Sequence, residues 1–208
     1  MLWIVLFVFI GWILTDLLYP FKRDIHKVDG AVIAQMDAAM WRSYYEKKKI
    51  KLFFEASSLM REQFHFPFWQ SQRVAYYATK AAFVFKGGHN RDNYEQALPY
   101  LKKYYSLIND IAAVPFNIDS AAVSELEWWI IRREKDKHPP QEWEQWLETG
   151  AAVVYHLPAD SFRDYAHLRV EAMLLRDKKN ESITEQDWKT IDSLLRKAWM
   201  SFAVTLGN

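Results

Sequence analysis

The sequence predicts an all-α protein in which one N-terminal transmembrane helix precedes a helical domain of about eight helices. Apolar residues recur at helical spacing through most of the chain. No stretch alternates apolar and polar residues for the length of an exposed strand, and the 208 residues include only 6 glycines. Half of the residues are hydrophobic and 16% are aromatic. Residues 21–208 are therefore long and apolar enough to bury one core, and we expect a single helical domain there.

The N-terminal segment is predicted to anchor the chain in a membrane. Residues 2–19 are apolar apart from Thr15 and Asp16, and Pro20 follows them. As a helix they would measure about 27 Å, close to the thickness of the hydrocarbon layer. No basic residue precedes the run and no small-residue cleavage site follows it, which disfavours a cleaved signal peptide. We expect residues 1–20 to be an uncleaved single-pass anchor, with Asp16 near water at one end.

The charges next to this segment predict its orientation. Lys22, Arg23 and Lys27 follow the apolar run, so the helical domain is expected on the cytoplasmic side of the membrane. Further along the chain there is a cluster of lysines, made up of Lys47, Lys48, Lys49 and Lys51. This cluster could touch anionic lipid headgroups or form a solvated turn. Across the chain 27 basic and 26 acidic residues are interspersed, which argues against nucleic-acid binding.

The rest of the chain divides into helical segments bounded by proline, glycine or capping residues. We expect helices at residues 31–44, 50–64, 67–85, 93–111, 120–135, 140–155, 158–177 and 184–206. Asp119 is the expected N-terminal cap of the fifth helix, at residues 120–135. The last helix, at residues 184–206, has the clearest start signal, because Thr184 and Asp187 form a variant of the capping box. A regular apolar stripe follows that signal and consists of Trp188, Ile191, Leu195, Trp199, Phe202 and Leu206.

Residues 69–107 resemble a tetratricopeptide repeat. An aromatic first helix with Tyr76 and Tyr77 is followed by a glycine turn and then by NYEQALPYLKKYYSL. The turn GGHNRDN is longer than in that family, and Ala78 stands where the family has glycine. The resemblance implies stacked helical hairpins with a concave surface for a protein partner. An irregular bundle with similar local packing is the alternative.

A set of carboxylates and histidines could bind metal. Glu62 and His65 form a Glu-x-x-His pattern, while Glu127 and Glu134 lie seven residues apart with His138 after them. This pattern is similar to that of ferritin-like bundles, in which Glu-x-x-His directs two ligands inward to a di-iron or di-manganese centre. The alternative is that these glutamates pair with arginines across helices and fix which helices pack together.

Aromatic residues supply the predicted partner contacts. If the face around PPQEWEQWLETG is exposed, Trp143 and Trp146 could anchor a partner. Paired tyrosines could form a groove if the hairpins stack, namely Tyr76, Tyr77, Tyr104 and Tyr105.

No catalytic signature accompanies these features. The chain has no phosphate-binding glycine loop, no Gly-x-Ser-x-Gly elbow and no cysteine. The sequence therefore predicts a non-catalytic, membrane-anchored interaction or accessory subunit with a membrane-bound protein partner and no cofactor. One alternative is a metal-dependent oxidoreductase that uses iron or manganese. The other is a lipid or pigment carrier, whose ligand would lie against aromatic residues such as Trp41 or Trp128.

Overall fold

A computed structural model describes residues 1–19 and 21–208, except for the side chain of Leu2. The predicted all-α class is confirmed. The α-helices are α1 (Leu2–Leu18), α2 (Gly30–Tyr45), α3 (Lys49–Glu62), α4 (Phe68–Lys86), α5 (Arg91–Glu95), α6 (Leu98–Ile111), α7 (Ile118–Arg133), α8 (Pro140–Tyr155), α9 (Arg163–Lys179) and α10 (Glu185–Thr205). Short 3₁₀ turns cover Ala159–Phe162 and Asn180–Ser182, and an isolated parallel β-bridge joins Arg23 to Ala112.

The capping signals explain most helix starts. The predicted box at α10 is present, since the Thr184 hydroxyl accepts a hydrogen bond from the Asp187 amide and the Asp187 carboxylate accepts one from the Thr184 amide. The prediction that Asp119 caps α7 is wrong. Asn117 has the extended backbone of a cap and accepts from the Ser120 amide at 2.8 Å, whereas Asp119 pairs with Lys102.

Two breaks divide the first half of the chain. The lysine run separates α2 from α3, and Lys47 adopts a positive φ of 59° in the turn between them. The helix expected over residues 93–111 is divided into α5 and α6, and Pro99 occupies the first turn of α6.

The helices form a closed ring. Along the sequence α2, α3, α4, α6, α7, α8, α9 and α10 each pack against the next, and α10 returns to pack against α2. Gly30 permits this last approach, because a Cβ atom there would lie 2.5 Å from the carbonyl oxygen of Trp199. The segment that resembles a tetratricopeptide repeat does pack as a hairpin of α4 and α6. In the described part of the chain, however, ring closure leaves no open concave surface of the kind that the resemblance implied.

Helix α1 lies outside the ring and contacts the start of α4. Trp12 packs on Phe68 and Trp69, each with ring centroids 5.8 Å apart. The Asp16 carboxylate accepts hydrogen bonds from the backbone amides of Trp69, at 3.1 Å, and Gln70, at 3.2 Å.

The prediction that Asp16 lies near water is wrong, because its exposed fraction is only 5%. The cap position of α4 is Pro67, which has no side-chain acceptor, so the first amides of this helix need an acceptor from elsewhere. Asp16 supplies it, and its negative charge also suits the positive end of the α4 dipole. The charge that was expected to reach solvent therefore fixes α1 to the ring.

Among residues 1–19 and 21–208, no helix is both long and apolar enough to cross a membrane, so the predicted single-pass span over residues 2–19 is not supported. Helix α1 has 17 residues, and its last turn includes the buried Asp16.

Ring closure can be tested at Gly30. A Gly30→Ala substitution should lower the free energy of unfolding by about 1–3 kcal/mol, because the added methyl group meets the backbone of Trp199 and forces α2 away from α10. Gly11→Ala is the matched control, since a Cβ atom there meets nothing within 4 Å. Urea unfolding of both variants measures the difference. Equal stability of the Gly30→Ala variant and the wild-type protein would contradict the close packing of α2 against α10 at Gly30.

Candidate functional site

The ring helices surround a partly open cavity of about 330 Å³. Every ring helix except α4 contributes to its wall, together with the segments that precede α2 and follow α3. Most of the lining is aliphatic or aromatic, but ionisable side chains from α2, α7 and α9 also face it. The polar members of the lining are Asp37, Glu125, Arg169 and the tyrosines Tyr104, Tyr105, Tyr155 and Tyr165.

A buried ion pair joins α2 to α9 at this wall. Arg169 Nη1 donates to Asp37 Oδ2 at 2.5 Å, and the indole N–H of Trp199 on α10 donates to the same oxygen at 2.8 Å. The guanidinium also lies over the rings of Trp41, Tyr165 and Trp199, at 5.3 to 5.7 Å from their centroids. Burial is the largest influence on Arg169 and lowers its pKa, but Asp37, Tyr165 and Glu125 together outweigh burial and raise the pKa of Arg169. Arg169 therefore stays charged, and its contact with Asp37 and Trp199 holds three helices together.

A second polar link crosses the ring from α7. Arg132 Nη2 donates to Asp177 Oδ1 on α9 at 2.7 Å and to the Tyr45 hydroxyl on α2 at 2.6 Å. These contacts agree in kind with the predicted ion pairs between helices. For Arg169, which is buried, and Arg132, which is half-buried, however, the carboxylate partners are aspartates rather than the glutamates considered from the sequence.

Glu125 places a carboxyl group at the cavity wall. Its oxygens accept hydrogen bonds from the Tyr105 hydroxyl, at 3.2 Å, and from the indole N–H of Trp129, at 3.0 Å. Burial raises the pKa of Glu125, while hydrogen bonding from Trp128, the charge of Arg169 and the donors Tyr105 and Trp129 partly oppose the shift. The site thus holds a carboxyl group whose uncharged form is favoured more than in water.

Several polar groups at the wall have no hydrogen-bond partner among the described residues. Arg169 Nε is buried and meets no acceptor, whereas the Trp128 indole N–H lies beside the Glu125 carboxyl group. Burial raises the pKa of the Tyr104 and Tyr155 hydroxyls, and it raises the pKa of the Tyr165 hydroxyl to about 12. These hydroxyls remain neutral at physiological pH and form no hydrogen bond with the described residues. Because a hydroxyl group can both donate and accept, the wall offers donors and acceptors alike.

The predicted metal ligands do not converge. Glu62 and His65 are exposed at the end of α3, and Glu127 on α7 pairs with Arg91. Glu134 and His138 approach each other at 4.0 Å, but Glu134 also pairs with Lys137 at 3.1 Å. The described residues contain no group of three or more histidine, aspartate or glutamate side chains arranged to hold a metal ion. The proposed di-metal set is thus not assembled by this fold.

The predicted partner contacts separate into buried and exposed residues. Trp143 is only 1% exposed, and its indole N–H donates to the His138 carbonyl oxygen at 3.3 Å, so it cannot present an outer surface. Its position on α8 turns it toward Phe162 and Met173 in the core rather than outward with the glutamates. Trp146 is half-buried at the cavity wall.

The tyrosines divide in the same way. Tyr104 and Tyr105 line the cavity, Tyr77 is half-buried against the core, and Tyr76 is 52% exposed on α4. Only Tyr76 of the predicted contacts is an exposed side chain.

Sequence reasoning missed Asp37. This aspartate lies four residues after Ile33 and four before Trp41, within the apolar face of α2. An acidic residue in such a face signals a buried partner, and Arg169, which shares a stripe with Tyr165 and Met173, gives the complementary signal. Their separation of 132 positions along the chain hid the pairing.

No protein-family model matches the chain, and neither the curated proteins nor the solved structures include a match to it.

The contribution of the buried pair can be measured against an exposed pair that also involves α2. Asp37→Asn leaves the Arg169 charge without a counter-ion in the interior and should lower the free energy of unfolding by about 3–5 kcal/mol. Glu185→Gln removes the partner of Arg42 between α2 and α10, but the Glu185 side chain is 76% exposed. That change should cost about 1 kcal/mol or less. Similar losses in both variants, measured by urea unfolding, would refute the central role of the buried pair.

Proposed function

We propose that this protein is a non-catalytic accessory protein that attaches to a membrane through α1 and presents its helical ring to a membrane-bound protein partner. The observation that carries the proposal is the surface of α1. Over residues 3–10 its apolar side chains are exposed on every side of the helix. Trp3, Ile4, Val5, Phe7 and Val8 are 61 to 73% exposed.

The all-round apolar surface favours lipid over a protein groove. A groove on one protein covers one face of a docked helix, so the opposite face is usually polar. Helix α1 has no polar face before Thr15. A hydrocarbon layer covers all faces equally and removes the cost of exposing them to water. Attachment of this kind requires only that α1 enter the apolar layer.

The base of α1 suits the interface between lipid and water. Tyr19 is exposed there, and aromatic side chains favour this zone. Lys22 and Lys27 follow with exposed ammonium groups that can meet anionic headgroups, although Lys22 also donates to the Asp110 carbonyl oxygen at 2.9 Å. Asp16 fixes this base to α4, so the ring would be held close to the membrane surface. The basic residues favour the cytoplasmic side.

Close attachment also supports the partner part of the proposal. A protein held at a membrane meets membrane-bound partners at a raised effective concentration. Tyr76 is the exposed member of the predicted contact residues, and it lies on α4, the helix to which α1 is fixed. We therefore place the partner contact on the outer face of α4.

Membrane attachment can be tested by flotation with vesicles of phosphatidylcholine and phosphatidylserine. The wild-type protein should float with the vesicles. A variant with Phe7→Asp and Val8→Asp should lose more than about tenfold of the bound fraction, because each charge costs roughly 2.5–3.5 kcal/mol within the apolar layer. Ile50→Asp is the control, since Ile50 is an exposed apolar residue of α3. Attachment through α1 is refuted if the wild-type protein does not float or if both variants float equally.

The partner surface can be tested with a photo-crosslinking residue at position 76 in intact membranes. One discrete adduct is expected, and it should disappear when the Phe7→Asp and Val8→Asp changes are added. The same residue at Met200, exposed on α10, is the control and should give no such adduct. Identical adducts from both positions would show that α4 is not the contact surface.

A further inference from the structure

An open cleft of about 310 Å³ lies where the base of α1 meets the start of α4. Trp12, Thr15 and Asp16 of α1 form one side of this cleft. The segment that follows α1 and the residues around the start of α4 form the other side. No described residue lines both this cleft and the cavity that the ring helices surround, so the two are separate sites.

Arg23 brings a positive charge without a counter-ion to the cleft. Its Nε donates to the His65 carbonyl oxygen at 3.3 Å, and its Nη1 donates to the Lys22 carbonyl oxygen at 3.4 Å. Both acceptors are neutral, and no carboxylate of the described residues forms an ion pair with this guanidinium. A guanidinium has five N–H donors, so three remain for an anion, and its planar shape suits two oxygens of one phosphate group.

The other charged groups at the cleft do not cancel this charge. Asp16 is the one acidic side chain among the described lining residues, but it is only 5% exposed and its carboxylate is directed to the first amides of α4. Arg61 lies at the rim, where its guanidinium covers the Phe68 ring at 5.2 Å. The exposed imidazole of His65 adds a further hydrogen-bonding group. The cleft therefore favours an anion over a cation.

The remaining wall is apolar and continues along α1. Trp12 and Phe68 pack with ring centroids 5.8 Å apart, and Phe21 and Pro67 complete this part of the lining. Trp12 also packs on Phe9, at 5.7 Å, which belongs to the exposed apolar surface of α1. A hydrocarbon chain that left the cleft in this direction would meet apolar side chains instead of water. Free phosphate would leave this part of the wall uncovered.

The position of the cleft suits a lipid. In this respect the inference rests on the proposed function, which places the base of α1 at the interface between lipid and water. Lipid phosphates lie in that zone, and the hydrocarbon chains lie on the side toward which α1 extends. A phospholipid beside α1 would thus bring its phosphate to the level of Arg23 and its chains to Trp12 and Phe9.

We propose that this cleft binds one molecule of an anionic phospholipid through its phosphate group. Arg23 donates hydrogen bonds to the phosphate oxygens, and Arg61 adds positive charge at the rim. The acyl chains cover the apolar side of the cleft from Phe68 and Trp12 and continue along α1. The protein therefore selects a lipid at one defined site, in addition to the general attraction between exposed lysines and a charged surface.

Titration calorimetry with short-chain compounds, below their micelle-forming concentrations, tests the cleft without a bilayer. Dihexanoylphosphatidic acid has the phosphate and the chains, dihexanoylglycerol has the chains alone, and inorganic phosphate has no chain. The full chain carries Phe7→Gln and Val8→Gln, which reduce non-specific binding to α1 without adding charge and lie outside the cleft. Phosphatidic acid should bind at least about tenfold more tightly than either other compound, because each of those lacks one set of contacts.

Variants of this protein locate the binding. Arg23→Gln should lower the affinity for phosphatidic acid about tenfold and leave that for dihexanoylglycerol within about twofold, because only the phosphate meets the guanidinium. Arg23→Lys keeps the charge but not the planar donors, so its affinity should be intermediate. Lys27→Gln is the matched control, since Lys27 is an exposed cation four residues later that does not line the cleft.

A second variant adds a negative charge to the cleft. Thr15 is an exposed lining residue, so Thr15→Glu should lower the affinity for phosphatidic acid at least about tenfold by repulsion of the phosphate. Circular dichroism shows whether each variant folds, and Thr15→Glu decides alone if Arg23→Gln does not.

The proposal is overturned if phosphatidic acid does not bind, or if dihexanoylglycerol or inorganic phosphate binds as tightly. It is also overturned if a folded Arg23→Gln or Thr15→Glu variant binds phosphatidic acid as the parent protein does, or if Lys27→Gln loses as much affinity as Arg23→Gln. The titration needs no bilayer, and vesicle flotation needs no occupied cleft. A failure of this site is therefore distinguishable from a failure of membrane attachment.

Discussion

The structure depends on one buried ion pair, between Asp37 on α2 and Arg169 on α9. Two charges in a protein interior cost several kcal/mol each, and only close pairing with further hydrogen bonds offsets that cost. Trp199 on α10 donates to the same carboxylate oxygen, so the pair is satisfied only when α2, α9 and α10 are together. The first and last helices of the ring are thereby coupled. Closure of the ring and burial of these charges are a single event.

This constraint determines what lies inside and outside the ring. Inside, charged and phenolic groups replace some of the apolar side chains that would otherwise fill the centre, and a cavity lined partly by hydroxyl groups without partners remains. Outside, the ring has no seam open to receive α1. This helix is attached only at its base, through Asp16 and Trp12, and its apolar surface stays exposed. The exposed apolar surface of α1 favours an apolar environment around that helix.

Local features of this fold could be predicted from the sequence, and long-range ones could not. The helical class, the break at the lysine run and the capping box at Thr184 depend on residues a few positions apart. The cap that Asp16 supplies to α4 joins residues 53 positions apart, and the bond from Trp199 to Asp37 joins residues 162 apart. Helical spacing indicates which residues share a face but not which helix that face meets. For that reason Trp143 was expected outside although it lies in the core, and the residues of the cavity wall were not assembled in advance.

The most direct test of coupled closure is hydrogen–deuterium exchange of the wild-type protein, resolved to individual peptides. If closure of the ring and burial of the ion pair are one event, amides in the middle of α2, α9 and α10 exchange only through global opening. Their opening free energies should then equal one another and the free energy of unfolding. Faster exchange of α2 or α10 alone, through a local opening that leaves α9 protected, would contradict the account.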